Sequence, residues 1–426
     1  MLPMKDNPVI RFSRIPGRTP LLRRSTAWLT TLAAAWGLAA PAVGQCEYEV
    51  TILPNVPCFG ADAVPKPKAI NDNGEMVGSF VQCASSSEAA FHWSKETGLV
   101  ILNMPEGTTN SDANDINNNG QIVGEYSNTD CQQGFMGFLL DGEEFTCLGT
   151  LPGGTNSVAN AINDNGVITG WWGNTVTGPS PLAFVWEDGV MTDISGDLET
   201  NQNAGRDMSI EGVVAGTRST GGDLESHAFV WANGNSTTLP IPAGATESAA
   251  RAINDLNQVT GVISSPDAKA IAWTLPDQMT VPAVDPTDQS VGRDINNFGQ
   301  MVGLLILTDE NEQYGFVWNG NGIVKLNDHL ASEKQIWIGD AYAINNSGQI
   351  AATGIVGEPF SGDGHAFLLT PVDQPPTDLS GDCTTGVEDL LIMLGEWQDA
   401  ESIADINNDG VVNVSDLLLL LSGWGS

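Results

Sequence analysis

The sequence predicts an all-β fold, a seven-bladed β-propeller of four-stranded blades closed by its N-terminal strand, followed by a small α-helical module with paired calcium loops. Three observations carry that expectation. A ten-residue phrase recurs seven times, an apolar phrase recurs in step with it, and near residue 371 the chain changes to a loop pattern rich in side-chain oxygens.

The first phrase reads AINDNGEMVG at 69–78, DINNNGQIVG at 115–124 and AINDNGVITG at 161–170. It returns at 252–261, 294–303 and 343–354, and a degenerate copy, DMSIEGVVAG, fills 207–216. The closing glycines stand 46, 46, 46, 45, 42 and 51 residues apart, which is the size of a propeller blade. The second phrase is Phe91-His92-Trp93, with counterparts at 138–140, 184–186, 229–231, 271–273, 316–318 and 367–369. Its large residues sit two apart and so share one face of a strand.

Each unit reads as four strands in order. The Ala-x-Ile-Asn segment is the first, and Asn-Gly or a relative supplies the positive-φ residues of a tight turn into the second. The aromatic phrase is the third. Turns such as Glu187-Asp188-Gly189 lead to the fourth, as at 190–194. The seventh repeat stops at 367–369 without a fourth strand, while a lone strand stands at 48–53. Pairing the two closes a ring and removes both sheet edges.

Residues 1–44 precede this body as a secretory signal. They hold six basic residues and one acid, then an apolar run at 27–40, then small residues, the order of an export signal. The apolar run is short for a membrane span and no second candidate follows. The chain is therefore expected to be secreted, extracellular or at the cell surface, with no membrane span beyond residue 44. The whole sequence carries a net charge of −36 from 16 Lys+Arg and 52 Asp+Glu. Since six of those cations and one of those acids lie in the signal, the remainder carries −41. Such a surface repels nucleic acid and attracts divalent cations. The six cysteines (46, 58, 83, 131, 147, 383) allow fifteen disulfide pairings, and their spacing selects none.

The repeats over residues 47–370 resemble the HAF family of extracellular repeats, named for the motif seen at His227-Ala228-Phe229 and His365-Ala366-Phe367. The resemblance implies export and a propeller-like shape, and brings no activity with it. The propeller is expected over 45–370, a Pro-rich linker at 371–376 and a separate module over 377–426.

In that module Asp405, Asn407, Asp409, Asn413 and Asp416 fall at loop positions 1, 3, 5, 9 and 12, with Gly410 at 6 and the Val411 carbonyl at 7. A hard cation such as Ca²⁺ needs that ring of oxygens, and the glycine permits the sharp turn. A helix is expected to start at Asp416. Twenty-seven residues earlier stands a weaker copy, Asp378, Ser380, Asp382, Thr384 and Asp389. Paired loops ending in Asp resemble a type I dockerin, in the form common on planctomycete secreted proteins. The first loop departs from that pattern, with Cys383 at position 6 and Gly386 at position 9. The resemblance implies attachment to a cohesin-like or cell-envelope protein. Residues at positions 10 and 11, here Val387-Glu388 and Val414-Ser415, would help choose that partner. Asp115 begins a similar pattern, but Val123 and Tyr126 at positions 9 and 12 mark it as a hairpin turn.

One repeat position concentrates charge. Two residues before each repeat isoleucine, or Met208 in the degenerate copy, stand Lys68, Asn114, Asn160, Arg206, Arg251, Arg293 and Tyr342. Four of the few cations thus share one ring, either held by carboxylates of neighbouring blades or open to an anionic, uronate-like ligand. The histidines 92, 227 and 365 lie at or beside aromatic strands and read as packing residues, and His329 stands alone. No nucleophile, zinc or phosphate-loop motif is present. The expected function is a secreted, non-catalytic binding or surface-associated propeller. The alternative is a polysaccharide-active hydrolase or lyase with its site on the face of variable loops, such as those at 151–158 and 174–181.

Overall fold

A computed structural model describes residues 47–57, 62–82, 87–127, 134–174, 181–196, 203–219, 225–265, 267–320, 322–331, 335–357, 362–372, 377–379, 385–398, 402, 404–407 and 411–424. Among these, the strands form seven sheets. The first strands of blades 1 to 7 are Lys66–Ile70, Asn110–Ile116, Asn156–Ile162, Asn203–Met208, Glu247–Ile253, Gln289–Ile295 and Ile336–Ile344. In blades 1 to 6 three further antiparallel strands follow in sequence order, as with Ile168–Gly173, Leu182–Glu187 and Val190–Asp193 of blade 3. The fold is a seven-bladed propeller.

The closing strand lies where the sequence puts it. Glu47–Ile52 pairs antiparallel with Asp363–Val372 of blade 7, with Val50 opposite Leu369 and Ile52 opposite Phe367. Leu330–Ala331 adds a fifth, parallel strand outside it, opposite Tyr48 and Glu49, which the repeat pattern did not announce.

Apolar packing is divided among the joints between blades. Seven clusters each join residues of neighbouring sheets, and the one containing Phe91, Met76, Ala343 and Leu368 spans the joint between blades 7 and 1. The aromatic phrase supplies most of the weight: Phe91, Phe138, Phe184, Phe316 and Phe367 are fully buried. Each such side chain stabilises by about 1.5–3 kcal/mol on burial. The repeat asparagine locks the joints from inside. Its Oδ1 accepts its own turn's N–H groups, as Asn117 does from Asn119 and Gln121. Its Nδ2 then donates to the same carbonyl of the next blade: Asn71 to Asn117, Asn117 to Asn163, Asn163 to Ser209, Asn254 to Asn296, Asn296 to Asn345, and Asn345 back to Asn71. The link from blade 4 to blade 5 is lacking because the degenerate repeat has Ser209 there.

Every first strand carries a β-bulge at the charged repeat position, and blade 7 has a second one at Gly339. In blade 2, Ala113 pairs with Gly124 and Asp115 with Val123, leaving Asn114 unpaired, and the other six blades repeat this. In blades 1 to 6 the closing glycine lies opposite the residue before that bend, whereas in blade 7 Ala352 stands there and Gly354 lies at the second bulge. A Cβ on Gly170 would lie 1.9 Å from the Val158 carbonyl oxygen, and Gly78, Gly124, Gly216, Gly261, Gly303 and Gly354 face the same obstruction.

Residues 377–424 hold two helices, Val387–Gly395 and Val414–Ser422, around a small core of Leu379, Met393, Ala404, Val412 and Leu420. The second helix starts two residues before Asp416, not at it. Asn413 caps it by accepting from Ser415 N at 2.7 Å, which makes Asp416 the third helical residue, bonded back to Asn413 N at 2.9 Å. No helix among the described residues is long and apolar enough to cross a membrane. Cys147 is disulfide-bonded, and the other five cysteines lie outside the described residues. Residues 1–46 and 373–376, with the expected signal and most of the linker, also lie outside them.

Candidate functional site

The bulges decide what the central channel presents. An extra residue in an edge strand turns its side chain out of the pleat, so seven side chains from one repeat position line a central cavity of about 270 Å³. The cavity walls come from all seven first strands.

Two of the four cations on this ring are neutralised. Lys68 is ion-paired with Asp112 and donates to Asn114 Oδ1 at 2.8 Å. Arg293 grips Asp340 with two bonds, Nε to Oδ1 at 2.8 Å and Nη2 to Oδ2 at 2.6 Å, and its guanidinium lies 4.8 Å from the Tyr342 ring centre. Asn114 and Asn160 donate to backbone carbonyls of the next blade, Ala159 at 2.9 Å and Gly205 at 2.6 Å.

Arg206 and Arg251 differ. Both are exposed to the channel and, among the described residues, neither has a hydrogen bond or ion pair. Surrounding protein strips water from both guanidiniums and lowers their pKa from the usual arginine value. For Arg251 the positive charges of Arg293 and Arg206 lower it further, with Asp340 opposing.

The difference has a cause in the sequence. Both neutralising acids, Asp112 and Asp340, stand two residues before the bulge of the blade that follows the cation. For Arg206 the corresponding residue is Ala249, and for Arg251 it is Val291. All four residues are readable in the sequence, but which of them faces the cation is set by the bulge and not by the repeat.

Sequence reading passed over a second tier. The residue after each bulge alternates around the ring: Ala69, Asp115, Ala161, Asp207, Ala252, Asp294, Ala343. Each aspartate bridges a joint, as Asp115 does by accepting from Ile116 N and Ile162 N, both at 2.8 Å. Asp207 and Asp294 do likewise toward Ile253 and Ile344. Burial raises Asp115 to about 7 and Asp294 to about 6, and pushes Asp207 well above the carboxylate range, with mutual repulsion adding to Asp115 and Asp207. The backbone bonds oppose the shifts. With both oxygens committed, these acids are not counter-ions for Arg206 and Arg251.

In the C-terminal module Asp416 and Asp389 are fully buried, and each closes a helix N-terminus. Asp416 Oδ1 accepts from Asn407 N at 3.1 Å, so this carboxylate joins both sides of the 405–416 loop. Asn413 Nδ2 donates to the Val411 carbonyl at 2.8 Å. Asp405, Asn407, Val411 and Asn413 belong to the same loop, and Asp378 begins the first one. Ser380, Asp382, Thr384 and Asp409 lie outside the described residues. Among the described residues no group of three or more His, Cys, Asp or Glu gathers as a metal site. The donor chemistry of the second loop, carboxylates, amide oxygens and a backbone carbonyl, fits a hard cation.

Two of the histidines pack against neighbouring side chains. His92 lies 3.4 Å from Glu75 Oε1, and His365 packs edge-on against Phe367 with ring centres 6.2 Å apart.

No family model and no curated protein sequence matches the chain. Solved structures do. Virginiamycin B lyase from Staphylococcus aureus is 11% identical, with a TM-score of 0.45, over 76% of this chain and 100% of that one. An oligogalacturonate lyase in complex with manganese is 12% identical, TM-score 0.45, over 78% and 98%. A structure from a study of two prolyl endopeptidases is 10% identical, TM-score 0.50, over 77% of this chain and 48% of that one. The likeness is one of fold alone.

Proposed function

We propose that the protein is a non-catalytic binding propeller whose channel takes an acidic saccharide on Arg206 and Arg251, and whose C-terminal module fastens it to a partner. The observation that carries this reading is the pairing rule of the channel: two cations have an acid on the next blade, and two have Ala249 and Val291 instead. In a chain of net charge −36, leaving two guanidiniums unpaired side by side costs stability unless an anion occupies them. A guanidinium fork matches a carboxylate, and uronate polymers present carboxylates in series. Titration calorimetry of the full chain with oligogalacturonate is the test. Heat of binding is expected for the wild type and not for Arg206→Gln/Arg251→Gln, and equal binding by both proteins would reject the assignment.

The module is read as a calcium-dependent attachment point for a cohesin-like or cell-envelope protein. Val387 and Val414, at position 10 of each loop, are 54% and 59% exposed, and Leu394, Leu418 and Leu421 extend an apolar surface along both helices. Ca²⁺ would be held by Asp405, Asn407, Asp409, Val411, Asn413 and Asp416, with Asp378, Ser380, Asp382, Thr384 and Asp389 as a weaker set. Calcium titration of the full chain should lose its tighter site in Asp405→Ala/Asp416→Ala, and an unchanged titration would remove the assignment. The basic, apolar, small-residue order of residues 1–44 supports export to the cell exterior or surface.

One observation favours the alternative, a polysaccharide hydrolase or lyase. Burial, with repulsion from Asp112 and Glu88, raises Glu125 to about 7, where a carboxyl can serve as a general acid. A reducing-sugar assay on wild type and Glu125→Gln distinguishes the readings. The binding reading expects no turnover by either.

A further inference from the structure

A second cavity, also of about 270 Å³, lies between blades 3 and 4. Its walls include Trp171, Asn203, Arg206, Thr217, Arg218 and Ser226. These residues sit at the ends of strands that lead into the second and fourth connections, so the cavity belongs to the face of variable loops. Among the described residues no Asp or Glu lines it, and two guanidiniums do.

Among the described residues Arg218 is held by neutral partners. Its Nη1 donates to Ser236 Oγ at 3.1 Å, Nη2 donates to Thr238 Oγ1, and the guanidinium carbon lies 5.9 Å from the Phe229 ring centre. Its Nε is buried and has no partner. Burial lowers its pKa from the usual arginine value. Hydroxyls and a ring face fix the side chain, and no described carboxylate pairs with it, which is the preparation an incoming anion needs. The Oδ1 of Asn203 already accepts from Ala183 N at 2.5 Å and Ser195 Oγ at 2.9 Å, so its amide nitrogen is the group left to donate. Trp171 adds a half-buried indole. Two cationic forks, hydroxyls and one aromatic face together suit a ring that carries a carboxylate.

We infer that the blade 3–blade 4 cavity is a saccharide-binding site for a single uronate unit, with Arg218 on its carboxylate and Trp171 against its ring. Arg206 lines both this cavity and the channel. The site stands on Arg218 and Trp171, and it survives failure of the channel reading.

The test is equilibrium binding of the full chain to D-galacturonate, with D-galactose and inorganic phosphate as comparison probes. Galacturonate is expected to bind, galactose at least 10-fold more weakly, and phosphate without dependence on Trp171. With the channel silenced by Arg251→Gln, galacturonate binding should remain, and adding Arg218→Gln or Trp171→Ala should each weaken it at least 10-fold. Arg218→Lys, which keeps the charge, should recover part of the loss and guards against misreading an unfolded variant, as does the melting temperature. Equal binding of galactose and galacturonate would overturn the inference. So would wild-type affinity in folded Trp171→Ala, or loss of all galacturonate binding in Arg251→Gln alone.

Discussion

A cation and the residue two places before the next blade's bulge form the smallest unit that decides what this channel does. Asp112 and Asp340 make Lys68 and Arg293 structural, and Ala249 and Val291 leave Arg206 and Arg251 open. Placing an acid at 291 should convert one kind into the other. Val291→Asp is expected to pair with Arg251 and to weaken oligogalacturonate binding at least 10-fold by calorimetry, with no loss of melting temperature. A second residue-scale expectation concerns the asparagine ring. Ser209 breaks it between blades 4 and 5, so Ser209→Asn should supply the absent bond and add about 0.5–1.5 kcal/mol in urea unfolding. A destabilised variant would mean that the ring is not additive in this way. The ring of charge was legible in the sequence, and the division within it was not. The repeat alignment gives a radius, whereas pairing depends on which residue of the next blade faces that radius, and the bulge sets this.

At the scale of the element, the bulged first strand joins fold to site. In blades 1 to 6 it accounts for the closing glycine of the repeat phrase, which the sequence marks by its spacing but does not explain. Gly170→Ala would bring a methyl group to 1.9 Å from the Val158 carbonyl oxygen. The strand must straighten or separate, and a loss of roughly 2–4 kcal/mol is expected by denaturant unfolding, in the range of overpacked core sites. Wild-type stability in this variant would mean that the bulge is not obligatory. The helical module was legible in outline, because ligand-type spacing and apolar runs both recur after 27 residues. The start of its second helix was misjudged by two residues, since capping by Asn413 and not the last oxygen ligand fixes the start.

At the scale of the molecule, the seven sheets and the pairing of Glu47–Ile52 with Asp363–Val372 were legible because period, strand count and ends agree on a ring. The extra strand Leu330–Ala331 was not, since it lies outside the repeat. The aspartate tier gives the molecule a pH dependence. Folded-state pKa values raised to about 7 for Asp115 and about 6 for Asp294, against an ordinary 3.8, mean that the native state keeps protons which the unfolded chain has released. Stability should therefore fall as pH rises from about 4 to about 7, and Asp115→Asn should flatten that fall. Repulsion over the acidic surface acts in the same direction, so the variant and not the wild-type slope is the check.

The central claim, that Arg206 and Arg251 are kept for an anion and not for the fold, comes down to one measurement: thermal melting of Arg251→Gln and Arg293→Gln with and without oligogalacturonate. Breaking the partly buried Arg293–Asp340 pair should cost about 2–4 kcal/mol and lower the melting temperature by several degrees. Arg251→Gln should melt with the wild type, or slightly above it, and lose the rise that the ligand gives the wild type. A melting temperature for Arg251→Gln as low as that of Arg293→Gln, or an undiminished rise with ligand, would contradict the account.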